Sequence, residues 1–326
     1  TSSTVKTRVP STAVGGIAGT VIDYSISQVG PSERSLRLWK RAQARGLRTV
    51  AKVQINNSWE LSAVPYLPVP DLVERHLGNL RKAGVTGLML SWTVGGYPGG
   101  NLALVDHPSA ELAGECFGPR AAPLVRQAWG AFSRAFLQFP FDCGVIYNSP
   151  CNAGPANLLY PKPTGYRATM VQGLPYDDLK TWRNIYPEAV FERQFRKLSG
   201  GWRRGLGLLG RARPLVPSAK RAHFADLDCV AQAAYCHFRS AWLQVRYVRA
   251  RDGLRPGARR TAALKAIARE EIELAKQLHD IVRRDSRIGF EAANHYSYTA
   301  NDLKEKVVQC EWLQRHIPAL RVGGKS

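Results

Sequence analysis

The sequence predicts an α/β chain: a parallel (β/α) barrel portion, incomplete, followed by an all-helical C-terminal region. Three observations carry that expectation. Short apolar runs alternate with amphipathic stretches of helical period over the first half of the chain. The runs end in polar and aromatic residues, as barrel strands do at an active-site rim. From about Asp177 onward the helical period continues without further strand signals. The domains expected are therefore 1–175, the barrel portion, and 176–326, the helical domain.

Gly19 to Ser27 reads as the first strand, with Asp23 and Tyr24 near its middle or end. After the turn Gly30-Pro31-Ser32, Ser32 is an N-cap for a helix from Glu33 to about Arg45, in which Leu36, Leu38, Trp39 and Ala42 fall at helical spacing. Gly46 closes that helix. Residues 49 to 60, Thr-Val-Ala-Lys-Val-Gln-Ile-Asn-Asn-Ser-Trp-Glu, join a buried strand (Val50, Lys52, Val53, Ile55) to a chemically equipped end. A loop punctuated by Pro65, Pro68 and Pro70 leads to a helix from Asp71 to Ala83, stopped at Gly84. Gly87-Leu88-Met89-Leu90 then repeats the strand pattern and runs into Ser91-Trp92-Thr93 and the glycine-rich loop 95–100.

This β-α-β-α-β order with short connections implies parallel strands and right-handed crossovers. A barrel is expected rather than a doubly wound sheet, because no Gly-x-Gly-x-x-Gly follows a strand. A helix from Pro119 to Leu137 precedes a fourth strand, 141–148, that ends in Tyr147 and Asn148; 166–171 reads as a fifth. Residues 177–210, 218–252, 257–285 and 300–316 read as amphipathic helices separated by breaks at Pro214, Pro217, Pro256 and Gly289. Within them, 285–298 is too irregular and aromatic for a plain helix. Fewer strands are visible than a closed barrel needs, so the chain reads as the C-terminal part of a longer protein.

With 326 residues, 44% of them hydrophobic, the chain can fill a core and is globular rather than disordered. Lys and Arg number 46 against 25 acidic residues, a formal charge of +21, which raises a polyanionic partner beside the plainer account of solvated helix faces. No recognised nucleic-acid module accompanies the basic stretches at Trp202-Arg203-Arg204 and Arg246 to Arg260, so nucleic acid is the less favoured partner. The six cysteines are scattered, with no CxxC pair and no histidine at metal-ligand spacing. No metal, no disulfide framework and a reducing, cytoplasmic setting are the default expectations. No apolar run approaches the ~18 residues of a membrane span. The first residue is Thr1 and no leader pattern follows it, so the natural N-terminus is expected to lie outside this sequence and location stays open. Phosphate-loop, nucleophile-elbow and HExxH templates all fail, so no cofactor is implied. Oligomeric state is not legible.

Glu60 is the sharpest candidate, since a carboxylate at a strand end is where glycosidases place an acid/base or a nucleophile. Asp23 on the preceding strand is its candidate partner, at the ~5 Å needed for retention or somewhat more for inversion. Trp59, Trp92, Tyr97 and Tyr147 read as platforms for a pyranose face, with Asn56, Asn57 and Asn148 bonding its hydroxyls. Glu291, Asn294 and His295 form a second polar cluster that reaches the same mouth or caps its own turn. Each has a purely structural counterpart: an ion pair with a buried arginine or a helix N-cap role for the loop that follows in the case of Glu60, a place in the core for each aromatic.

On the segments 53–60, 88–92 (Leu-Met-Leu-Ser-Trp) and 288–296 (Ile-Gly-Phe-Glu-Ala-Ala-Asn-His-Tyr), the chain resembles bacterial proteins of the glycoside-hydrolase-like barrel type, from about residue 20 onward. The group names no substrate. At fold level it is loosely similar to hexosaminidase-type hydrolases. Those carry an adjacent Asp-Glu pair at a strand end, whereas Trp59 precedes Glu60 here, which argues against a substrate-assisted mechanism. The function expected is a carbohydrate-active enzyme that hydrolyses glycosidic bonds by carboxylate chemistry. The alternative is a non-catalytic carbohydrate-binding or basic nucleic-acid-binding protein.

Overall fold

The computed structural model describes residues 9–21, 25–90, 97–169, 173–253, 255, 257–291 and 295–317. Among them the chain is mostly helical. Strands β1 (Val9–Pro10) and β2 (Thr20–Val21) pair antiparallel. Helix α1 (Glu33–Gln43) begins where the Ser32 hydroxyl accepts from the Ser35 amide. Strands β3 (Val50–Val53) and β4 (Gly87–Leu90) flank α2 (Pro70–Lys82) and pair parallel, Val50 opposite Gly87. Gly46 and Gly84, with φ of 72° and 69°, end α1 and α2 in the left-handed conformation that glycine adopts without strain.

The barrel is not there: the described parallel sheet has two strands and does not close. Strands of a closed, helix-covered sheet are buried on both faces. Here Ala51 and Val53 pack on Leu80, Trp39 and Val85, while Val50 and Met89 on the outer face are 59% and 57% exposed. Two further expected strands take other forms. Residues Cys143–Asn148 are helix α5, because the Asp142 carboxylate caps the Gly144 amide and the turn buries Val145 and Ile146. Asp142 also accepts from the Thr20 amide, 122 residues away, which fixes the helix start from outside it. Where the fifth was expected, the described residues 166–169 form a single bridge, Thr169 to Leu174, and residues 170–172 lie outside the described residues. Of the expected first strand the described residues show β2, which pairs with β1; residues 22–24, Asp23 among them, lie outside the described residues.

The bulk of the core is helical. Helices α3 (Ser109–Phe117), α4 (Ala122–Phe136), α6 (Leu179–Arg183), α7 (Glu188–Ala212), α8 (Arg221–Gly253), α9 (Ala258–Val282) and α10 (Ala300–His316) surround it. Trp202 stands at the centre, its ring 4.6 Å from Phe132 and 5.0 Å from Phe238, and its Nε1 donates to Ala231 O at 2.8 Å. Close approach of α4 and α7 requires glycine: a Cβ at Gly205 would lie 2.3 Å from the Phe132 ring. Between α9 and α10 the ion pair Glu271–Lys306, at 3.1 Å, is wholly enclosed. Ser240 donates to Glu271 and the lysine donates to Asn157 O, so neither charge is left unpaired. The C-terminal region is not all-helical either, since β5 (Phe290–Glu291) and β6 (His295–Tyr296) form an antiparallel hairpin before α10.

Candidate active site

The chain leaves β3 into a turn that buries nearly everything from Gln54 to Pro70, and Glu60 sits inside it at 0% exposure. Four groups hold its carboxylate. Oε2 accepts from the Ser58 hydroxyl at 2.6 Å and the Ile26 amide at 2.7 Å; the Ser27 amide lies 3.2 Å from both oxygens, and the Ser25 hydroxyl is 3.2 Å from Oε1. No cation is among those partners. Burial therefore pushes the Glu60 carboxyl above its ordinary range, with the bonds from Ser27, Ser58 and Ile26 opposing it. The buried arginine counter-charge that a purely structural ion pair needs is missing from these contacts.

Beside Glu60, half-buried Trp59 faces a cleft whose other wall is Tyr147, with ring centroids 6.0 Å apart and planes at 56°. Asn148, Ser62, Asn152, Pro175 and Ser297 line the rest. Asn152 braces the turn: its Oδ1 accepts the Ser62 amide at 2.7 Å and its Nδ2 donates to Trp59 O at 3.2 Å. Asn148 spends its Nδ2 on Gly144 O at 2.8 Å.

The hairpin that carries Glu291 and His295 docks on this turn. The Gly289 amide donates to Ala63 O at 2.8 Å, and Ser297 returns an amide to Gly289 O at 2.7 Å. Across the hairpin Glu291 is paired with His295. Below it, the enclosed His237 ring bridges Tyr298 Oη at 2.8 Å and Cys151 O at 2.7 Å. Burial lowers the His237 pKa to about 4, so the bridge is built on neutral imidazole. Segments 25–27 and 58–60 thus meet at the Glu60 carboxylate, and Gly289 joins the same turn three residues on, at Ala63.

The structure sends other expected residues elsewhere. Asn56 donates to Tyr97 O at 3.1 Å and accepts from the Asn101 amide at 2.8 Å, so its amide shapes the loop. Asn57 donates to Val64 O at 2.5 Å, and its Oδ1 has no partner. Tyr97 stacks flat on Tyr66, 6.0 Å away, with the Arg287 guanidinium 4.9 Å over its ring. Trp92 and Asn294 lie outside the described residues.

Sequence reasoning missed the clamp beneath Tyr97. Arg287 bonds Asp226 at 2.5 Å and Asp285 at 2.6 Å, and Tyr66 Oη donates to Asp226 at 2.8 Å. Against its burial, the bonds from Arg287 hold the Asp285 carboxyl below its ordinary range. Its only signal was the irregular composition around 287; the partner Asp226 sits on a plain helix. This clamp closes one side of an apolar hollow lined by Leu104, Phe117 and Trp129. Asp226 is already spent on Tyr66 and Arg287, so the Trp59 cleft is the better candidate site. Among the described residues no group of three or more His, Cys, Asp or Glu converges as a metal site, and no helix is long and apolar enough to cross a membrane.

No protein-family model matches the chain. No curated protein matches it in sequence. Among solved structures, it is similar to a GH138 enzyme targeting pectin rhamnogalacturonan II, with a TM-score of 0.53 and 9% identity over 93% of this chain. The chain spans 42% of that enzyme's length. At that identity the likeness is one of fold.

Proposed function

We propose that this chain is a carbohydrate-active hydrolase of glycosidic bonds, with its sugar bound in the Trp59–Tyr147 cleft. The observation that carries the reading is Glu60: a carboxyl with no cation among its partners, raised by burial above its ordinary range, one residue from an aromatic wall. A carboxyl raised above its ordinary range is better suited to protonate a glycosidic oxygen than an ordinary one. Glu60 would serve as that acid. Asp23, two residues before Ser25, is the proposed second carboxylate. Trp59 and Tyr147 would stack on the sugar face, Asn148 would bond a hydroxyl, and Trp92, Glu291 and His295 would complete the rim. The fold shared with a glycoside hydrolase supports the same reading. In it, Asn56, Asn57 and Tyr97 hold the loops in place instead of touching sugar.

The test is release of reducing ends from a panel of plant and bacterial glycans by the native chain and by Glu60→Gln. Turnover lost in the variant, with glycan binding kept, supports the assignment. Full turnover in the variant removes Glu60 from the mechanism, and a chain that neither binds nor cleaves any glycan ends the carbohydrate reading.

A further inference from the structure

Away from the cleft, α4 and α7 pack side by side and leave a groove lined by Arg134, Gln138, Arg196, Lys197 and Arg204, with Gly200 in its floor. No carboxylate lines it. Around α8 acids answer arginines: Asp228 bonds Arg213, Glu270 bonds Arg239, Glu192 bonds Arg249, and Asp177 bonds Arg251. None of the four groove cations makes an ion pair among the described residues; Asp71, in the adjoining hollow, is attracted to Arg134 from beyond ion-pair distance. The four exposed cations repel one another, and an anion laid along the groove would relieve that repulsion.

We infer that this groove binds a carboxylated polysaccharide segment, at a subsite separate from the Trp59 cleft; the inference rests on the carbohydrate reading above. The side chains at Arg196, Lys197 and Arg204 repeat along one face of α7, spanning about 12 Å at ~1.5 Å per residue. That is an extended track, suited to a chain of charges. Guanidinium forks pair bidentately with carboxylates. No aromatic side chain lines the groove, so it lacks the stacking platforms on which single-stranded nucleic acid is held. The close seam between the helices comes from small residues: a Cβ at Gly201 would lie 2.7 Å from the Ala135 Cβ.

The experiment is titration of the full chain with short polygalacturonate, with neutral dextran of equal length and with a single-stranded oligonucleotide, each over a salt series. Polygalacturonate should bind and dextran should not, with a log–log salt slope near −3 for about four charge contacts. The variant Arg196→Ala/Lys197→Ala/Arg204→Ala should lose at least ~tenfold in that affinity with its unfolding midpoint unchanged, since all three side chains are exposed. Trp59→Ala should keep the polygalacturonate affinity. The inference is overturned if the triple variant binds as tightly as the native chain, if nothing binds at low salt, or if the oligonucleotide binds more tightly than polygalacturonate. Those outcomes are separable from failure of the carbohydrate reading, which is judged by turnover in Glu60→Gln with the groove intact.

Discussion

The Ile26 amide lies 2.7 Å from Glu60 Oε2, joining two segments 34 residues apart. A bond of this kind both orients the carboxyl and closes the chain over it. Replacing Glu60 by Gln keeps an oxygen for that amide and removes the titrating proton. Turnover on a responsive glycan should fall ~10²–10⁴-fold, the usual contribution of a positioned acid, while binding changes little. Steady-state kinetics beside calorimetric binding separates the two. Trp59→Ala should do the reverse, raising KM about tenfold through loss of a stacking face with a smaller change in kcat.

Stability should depend on pH through His237. Its folded pKa of about 4 lies below the ordinary 6.5, so the unfolded chain binds the proton more tightly. The stability is present above 6.5 and lost as pH falls through about 4, in all roughly 3 kcal/mol. Glu60 acts with the opposite sign: its raised carboxyl favours folding at low pH and weakens it as pH rises through the folded value. Urea midpoints from pH 4 to 8 should show the histidine slope in the native chain and a flatter curve in His237→Phe.

The enclosed pair predicts a non-additive result. Lys306→Met leaves the Glu271 charge without its counter-ion and should cost about 3–5 kcal/mol. Adding Glu271→Leu should restore much of that loss. A double-variant loss equal to the sum of the two single-variant losses, measured by denaturant unfolding, would show that the pair is not coupled.

Two glycines on α7 should respond oppositely to alanine. At Gly205 the new methyl meets the Phe132 ring at 2.3 Å, and overpacking of that kind costs about 1–3 kcal/mol. At Gly207 no atom lies within 4 Å, so alanine should gain up to ~1 kcal/mol of helix propensity. Thermal melts of the two variants should move in opposite directions.

The unit from α1 to β4 was readable because its signals are local: a Ser32 cap, an alternating strand, and glycines where left-handed turns stop each helix. The barrel was inferred by extending that alternation, and the extension failed at Val145-Ile146. These are strand-forming residues that a helix absorbs because Asp142 is fixed by Thr20 from the far end of the chain. The Tyr66–Asp226–Arg287 clamp joins residues 160 and 61 positions apart, and no local period records such a meeting. Glu60 was legible as a candidate carboxylate. Its wrapping by residues 25–27 was not.

Lys306 has no exposed surface, while Lys304, two residues earlier on the same helix, stands in solvent. An acylating reagent can therefore mark Lys304 at once, and Lys306 only after α10 has come away from α9. The ratio of the two labelling rates is a clock for that detachment, set by the free energy of one local opening and independent of global unfolding. Ligands that tighten the neighbouring hairpin would slow the clock, and the protein would report its own occupancy through a single amine.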